Sequence, residues 1–191
     1  MEIKNFIKIY DDVLPIEVIS NIIKYANSLK FNEATIVGKQ QTGKELNLNI
    51  RKTYTYPLTN LSNMMSDVHW ANLLRSTFKA FINKYVSDLG IHNIQLKELD
   101  YPQVLKYTAG GFYDWHIDDA VIFPRTLSII LLLNNDYEGG NLGFKNVDGS
   151  EEFFLDVKPA RLIIWPSNFM FPHTVKPVTK GLRYSIVSWV R

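Results

Sequence analysis

The sequence predicts helices first and a double-sheet β domain after them, a mainly β fold with N-terminal helices (α+β). Two amphipathic stretches in the first half and a change of character near residue 94 carry that expectation. Beyond 94, about eight short apolar or alternating runs follow one another, separated by turn residues. That rhythm is the mark of a β-sandwich or barrel.

Near the N-terminus a short strand-like run at 7–14 meets Pro15. Val18, Ile19, Ile22, Ile23 and Ala26 then recur at helical spacing. The pattern weakens over 35–56. The polar stretch GKQQTGKELNLN carries Gly38 and Gly43 and reads as a loop or hairpin, and residues 36–49 are a candidate lid. RKTYTYPL resumes alternation, so Arg51, Lys52, Tyr54 and Tyr56 either line a groove or pack on the sheet. Helical spacing returns over 70–89, with Leu73, Leu74, Phe78, Phe81, Ile82 and Tyr85 on one side. The strand candidates are QLKELDYPQVLKY, GFYDWHI, RTLSIILLLN, NLGFKN, EEFFLDV, RLIIWP, FMFPHTV and LRYSIVSWVR. Residues 1–191 are expected to form a single domain, with 1–99 supporting a core at 100–191.

Composition narrows the function classes. At 46% hydrophobic and 21% charged residues, the chain has the profile of an ordinary globular protein. A formal charge of +2 gives no argument for nucleic acid. With zero cysteines, disulfides and thiolate metal sites are excluded, and any metal is held by His and carboxylate. MEIKNFIKIYDDVL lacks the layout of a secretory signal, and the longest apolar run, 129–133, is too short for a membrane span. The expectation is a cytoplasmic protein without membrane attachment. Oligomeric state is not legible.

His116-Ile117-Asp118 is the first chemical signal. Residues two apart on a strand face one side, so an imidazole and a carboxylate aim at one point. His173 lies on a later predicted strand. Two histidines and one carboxylate on one face of a metal leave the opposite positions open, the ligand set of non-heme Fe(II) oxygenases. His69 and His92 have no carboxylate at strand spacing and read as structural or exposed. Asp114 and Asp119 flank the triad and read as loop acids, although Asp119 is also placed to orient a ligand. Arg183 shares parity with Ser185 and Val187 and should point inward, which is unfavourable unless the guanidinium meets an anion. An internal Asp or Glu partner is the plain alternative.

His116-x-Asp118, His173 and Arg183 together resemble the prolyl 4-hydroxylase-like branch of the Fe(II)/2-oxoglutarate-dependent oxygenases. YTAGGFYDWHID is similar to that family's approach to the metal, DYEGGNLGF to its Gly-Gly-x-Leu strand, and LIIWPSNFMFPHTVKPVTKGLRYSIVSWV to its closing segment. The closing segment resembles that of PKHD-type hydroxylases. The likeness is strong over 100–191 and only an outline before it.

The resemblance implies a double-stranded β-helix (jelly roll) core. It implies iron on His116, Asp118 and His173, which would be both metal ligands and the catalytic centre. Arg183 would hold the distal carboxylate of 2-oxoglutarate, with Ser185 adding a hydrogen bond, Tyr107 lining the cosubstrate pocket and Trp189 lying near the metal. On RTLSIILLLN a relative often has a tyrosine that holds the same carboxylate; here Leu132 stands there, so Tyr107 alone is expected to complete the site. The implied cofactors are Fe(II), 2-oxoglutarate as cosubstrate and O2, with ascorbate in support. Asp118 favours hydroxylation, because related halogenases carry a small residue at that position. The branch acts mainly on protein or peptide residues such as proline. The same chemistry on a free amino acid or small metabolite, and a non-catalytic metal- or 2-oxoglutarate-binding sensor, stay open.

Overall fold

The computed structural model describes residues 2–37, 43–91, 94 and 96–191. Along the chain run β1 (Lys8–Tyr10), α1 (Ile16–Ser28), β2 (Asn32–Glu33), β3 (Ile36–Val37), β4 (Lys44–Glu45), β5 (Arg51–Lys52), β6 (Tyr54–Pro57) and α2 (Met65–Asp88). There follow β7 (Gln103–Tyr107), β8 (Phe112–His116), β9 (Leu127–Leu132), β10 (Glu138–Gly139), β11 (Leu142–Lys145), β12 (Glu152–Phe154), β13 (Arg161–Pro166), β14 (His173–Val175), β15 (Val178–Lys180) and β16 (Arg183–Val190). The chain is thus mainly β with two α-helices. Each of the eight strand candidates contains one of the observed strands.

Two large sheets organise twelve of these sixteen strands, and β3–β4 and β10–β15 form separate two-stranded pairs. One large sheet is seven-stranded, in the order β1-β13-β9-β16-β7-β6-β2, and the other five-stranded, in the order β12-β11-β14-β8-β5. All their pairings are antiparallel. The first sheet is buried on both faces, which is why its central strands read as continuous apolar runs. Alternation along each strand divides the two faces. Leu127, Ile129, Leu131, Leu162, Ile164, Tyr184, Ile186 and Val190 join the helix-side core, with Ile19 and Ile22 of α1 and Leu74, Phe78 and Ile82 of α2. Ile130, Leu132, Ile163, Trp165, Val187 and Trp189 face the second sheet and meet Leu142, Phe144 and Val175 there. The candidate residues Tyr107 and Trp189 lie in this inter-sheet layer.

Helix α2 begins at Met65, five residues before the start that apolar spacing gives. The reason is Asp67. It occupies a core-facing position, in step with Ala71, Leu74 and Phe78, and is 1% exposed. Its carboxylate accepts hydrogen bonds from the hydroxyls of Tyr25 (2.7 Å), Tyr56 (2.9 Å) and Ser62 (2.6 Å). Burial and then the carboxylate itself raise the pKa of both tyrosines, so they remain donors. One acid thus joins α1, α2 and β6. Replacing Asp67 by alanine orphans three hydroxyls, and a loss of about 3 kcal/mol of stability is expected, read as a lowered unfolding midpoint. An unchanged midpoint would mean that water satisfies these hydroxyls as well.

Candidate active site

His116 ends β8 and His173 begins β14, and the two residues are register partners across the five-stranded sheet. Their ring centroids lie 4.1 Å apart. Asp118, two residues beyond His116, brings its carboxylate oxygens to 3.7 Å from His116 Nε2 and 3.4 Å from His173 Nε2. One potential ligand atom from each of the three residues falls within a 4.8 Å cluster, with space suited to a single metal ion.

The orientation of both imidazoles is set by the backbone. His116 Nδ1 lies 2.7 Å from the Asp114 carbonyl, and His173 Nδ1 lies 3.1 Å from the Phe171 carbonyl. A carbonyl only accepts, so each Nδ1 carries the proton and donates. Each Nε2 faces Asp118 and is the ring atom left to take a metal. Burial, and then the neighbouring His173, holds the His116 imidazole well below its usual pKa. Burial pushes the Asp118 carboxyl up, but His173, His116 and Arg125 outweigh it and hold the group well below the usual carboxylate range. A neutral imidazole and an ionised carboxylate are the protonation states metal binding requires.

Asp118 is held from the other sheet. Ser128 Oγ on β9 donates to its Oδ2 at 2.7 Å and lies 2.7 Å from Ser167 Oγ. Arg125 Nη1 donates to the Asp118 carbonyl at 3.1 Å, and its guanidinium lies over the Trp189 ring at 3.7 Å. Trp189 lines the cavity beside this cluster. Asp119 accepts from the Arg125 backbone N–H at 3.0 Å and so orders the following loop, while Asp114 accepts from the Trp115 N–H at 2.8 Å. His69 is exposed on α2 against Trp70. His92 lies outside the described residues.

At the far end of the inter-sheet layer, Arg183 is 1% exposed. It pairs in register with Tyr107, whose ring centroid is 5.0 Å from its guanidinium carbon. Its Nη1 donates to Ser185 Oγ at 2.9 Å, while Nε has no partner among the described residues. Among the described residues no carboxylate pairs with it, so the internal ion pair is not found. Leu132 is the register partner of Ser185 and buried.

The completion of this end differs from the expectation that Tyr107 stands alone. Tyr137 reaches the same place. Its hydroxyl is buried with no settled partner, and burial raises its pKa against the opposing pull of Arg183. Gly140 makes room for both. At φ +63°, a Cβ there would lie 3.0 Å from Arg183 Cδ, 3.0 Å from Tyr137 Cε2 and 2.9 Å from Val178 Cγ2. The DYEGGNLGF motif held the signal for Tyr137, but its role depends on the β10–β15 pairing, which spacing does not encode. Trp165 was missed in the same way. Its Nε1 is buried without a partner, and its ring stands edge-on to His173 at 5.0 Å.

A cavity of about 310 Å³ lies beside the His-Asp-His cluster, bounded by His116, Asp118, His173, Tyr107, Trp165 and Trp189 among others; Tyr107, whose ring Arg183 faces, is its wall on that side. Ile36 and Lys44, from the paired strands β3 and β4, also border it. The segment 38–42 of the candidate lid lies outside the described residues. Arg51 lines the cavity, whereas Tyr56 packs against Phe31 and bonds to Asp67.

Residues 102–191 match the model of the 2OG-Fe(II) oxygenase superfamily. A PKHD-type hydroxylase of Synechococcus sp. (strain JA-2-3B'a(2-13)) is 34% identical over 93 residues, covering 44% of this chain and 40% of the relative. A PKHD-type hydroxylase of Aliarcobacter butzleri is 29% identical over 130 residues, covering 63% and 55%. The chain thus matches less than two thirds of the length of these curated relatives. Among solved structures, a prolyl hydroxylase of Trichoplax adhaerens, in complex with a hypoxia inducible factor oxygen degradation domain peptide fragment, superposes with a TM-score of 0.74. It shares 19% identity, over 97% of this chain and 83% of that one. A prolyl-4-hydroxylase of Pseudomonas putida gives a TM-score of 0.69 at 21% identity, covering 97% and 92%. These two likenesses establish the shared fold.

Proposed function

We propose, with residues 102–191 belonging to the 2OG-Fe(II) oxygenase superfamily as the premise, that this chain is an Fe(II)- and 2-oxoglutarate-dependent dioxygenase. It hydroxylates a C–H bond of a protein or peptide residue such as proline. The two facing sheets are read as its double-stranded β-helix (jelly roll) core. Residues 1–99 are read as support for the core at 100–191, since β1, β2, β5 and β6 extend its sheets.

The observation that carries the reading is Arg183: a buried guanidinium with an unpartnered Nε and no carboxylate, in one inter-sheet layer with a His-Asp-His cluster. A buried cation without a counterion is costly, so a dicarboxylate that reaches both Arg183 and a metal relieves a cost built into the fold.

In this reading His116, Asp118 and His173 hold iron through two Nε2 atoms and one carboxylate. Arg183 grips the distal carboxylate of 2-oxoglutarate, assisted by Ser185. The Tyr137 hydroxyl and the Trp165 N–H, both buried without a partner, are further donors for the same ligand. Tyr107 walls the pocket and stacks on Arg183, and Trp189 braces Arg125 beside the metal ligands. The oxidising chemistry, cleavage of 2-oxoglutarate to succinate and CO2 with one oxygen atom delivered to the substrate, belongs to the bound metal, cosubstrate and O2. The protein holds the ligands in their required protonation states, orients the cosubstrate and shields the cavity from water. The paired strands β3 and β4, whose Ile36 and Lys44 border the cavity, are read as part of the candidate lid at 36–49.

The test is succinate formation from 2-oxoglutarate by purified protein with Fe(II), ascorbate and O2, without added substrate. Slow, iron-dependent succinate that disappears in His173→Ala is the expected result. 2-Oxoglutarate binding without any turnover, even with peptide and amino-acid substrates supplied, would favour the sensor reading. No 2-oxoglutarate binding would overturn the assignment.

A further inference from the structure

The cavity wall carries more positive charge than the proposed iron and cosubstrate site uses. Lys44, Arg51 and Arg125 all line it, while Asp118 is the sole carboxylate among the lining residues. Both arginines are fixed in place. Arg51 lies over Tyr113 at 4.5 Å, and Tyr113 in turn stacks on His116 with ring centroids 3.4 Å apart. One Arg51 Nη donates to the Thr35 carbonyl at 3.0 Å. Arg125 is held between Trp189 and the Asp118 carbonyl. The Nε atoms of both arginines are buried and, among the described residues, have no partner. Lys44 lies over the Phe123 ring at 5.1 Å. Among the described residues, neither Arg51 nor Lys44 pairs with a carboxylate, and the nearest carboxylate oxygen to Arg125 is Asp118 Oδ1 at 3.8 Å. The residues outside the described set include no Asp or Glu.

Arg183 cannot bring the cosubstrate's distal carboxylate to this group. Arg125 sits over Trp189, which is six residues from Arg183 along β16, roughly 20 Å of extended strand. The inter-sheet layer therefore has two separate cationic regions. One is the buried Arg183 end. The other is a collar of three cations around the His-Asp-His cluster, whose one carboxylate is shared with both imidazoles. Aromatic stacking holds these cations without neutralising them, so an anion is the ligand that completes the collar.

We propose that the collar recognises a carboxylate on the substrate, and that this enzyme acts on carboxylate-bearing molecules: an amino acid, a peptide C-terminal residue or an acidic peptide segment. The inference rests on the oxygenase reading and specifies its substrate class. Arg51 is the principal contact. Its guanidinium stacks on Tyr113, which stacks on the ring face of the metal ligand His116, so a carboxylate bound to it lies in the same cavity as the metal ligands.

The test compares matched pairs of N-acetyl-L-amino acids and their carboxamides, together with free L-amino acids and acetyl-aspartyl-prolinamide. Binding is read as a shift in unfolding temperature of the protein loaded with Mn(II) and 2-oxoglutarate. At least one acid is expected to raise the midpoint with an affinity roughly tenfold or more above that of its amide. Arg51→Gln should abolish that preference, Arg51→Lys should keep part of it, and Lys44→Gln should weaken it while leaving the fold intact. A response to free amino acids alone identifies a metabolite. A response to N-acetylated acids identifies a peptide C-terminus, and a response to the aspartyl amide identifies an acidic side chain. Equal binding of acids and amides, no response to any acid, or a preference that survives both Arg51→Gln and Lys44→Gln overturns the proposal. Calorimetry of 2-oxoglutarate binding to the wild type separates the two levels: its absence removes the oxygenase reading itself, whereas its presence with no carboxylate preference removes only this one.

Discussion

Arg183→Met lowers 2-oxoglutarate affinity severely while leaving the ligand-free protein as stable as before, or more so. The two halves of this expectation have one cause. In the free protein the guanidinium is buried with one hydrogen bond from Nη1 and an unpartnered Nε. Replacing a buried, uncompensated cation by an apolar side chain of similar length removes a desolvation cost. In the bound state the same group is the proposed partner of a carboxylate, and truncating one member of a buried charge pair costs about 2–5 kcal/mol. Calorimetry with 2-oxoglutarate reads one half, and thermal unfolding without ligand reads the other. Wild-type affinity in the variant would mean that Arg183 answers to another partner. A sharp loss of stability without ligand would mean that it already has one.

His116→Ala is the second large effect. It should reduce iron-dependent succinate formation to background and weaken metal binding by more than the roughly 10- to 100-fold that follows loss of an outer partner of a ligand. The domain should stay folded, because His116 is half-buried near the edge of the five-stranded sheet and contributes packing mainly to Tyr113 and His173. Metal affinity by competition with a chelator, beside a circular dichroism spectrum, tests both parts. Unchanged metal affinity would remove His116 from the ligand set.

Much of the candidate site was legible because strand periodicity carries it. The two-residue spacing of His116 and Asp118, and the parity of Arg183 with Ser185 and Val187, are local facts. The structure places all of them in the inter-sheet layer. Tyr137, Trp165 and the partners of Arg51 were not legible, because each is defined by what lies opposite it. Tyr137 reaches Arg183 through the β10–β15 pairing, and Arg51 reaches the cavity through its register with Tyr113. The same division holds for the fold. Strands inside apolar or alternating runs were readable, while β2, two exposed residues, exists through pairing with a distant partner. The start of α2 was hidden because the residue on its buried face is an acid, and an apolar template passes over Asp67.

The two histidines stand on one sheet, and Arg183, Ser185 and Tyr107 stand on the other. Among the described residues, the Ser128–Asp118 hydrogen bond is a direct polar link between the sheets at the cluster. Under the proposed assignment, a cosubstrate bound to both sides becomes a tie rod across the molecule, and filling either end makes the other easier to fill. Thermodynamic linkage makes that assistance reciprocal: the factor by which 2-oxoglutarate tightens the metal is the factor by which the metal tightens 2-oxoglutarate. Among the described residues, the five-stranded sheet has no helix layer behind it comparable to α1 and α2 behind its partner. Its β8 and β14 amides are therefore the ones whose hydrogen exchange should slow most when both ligands are present.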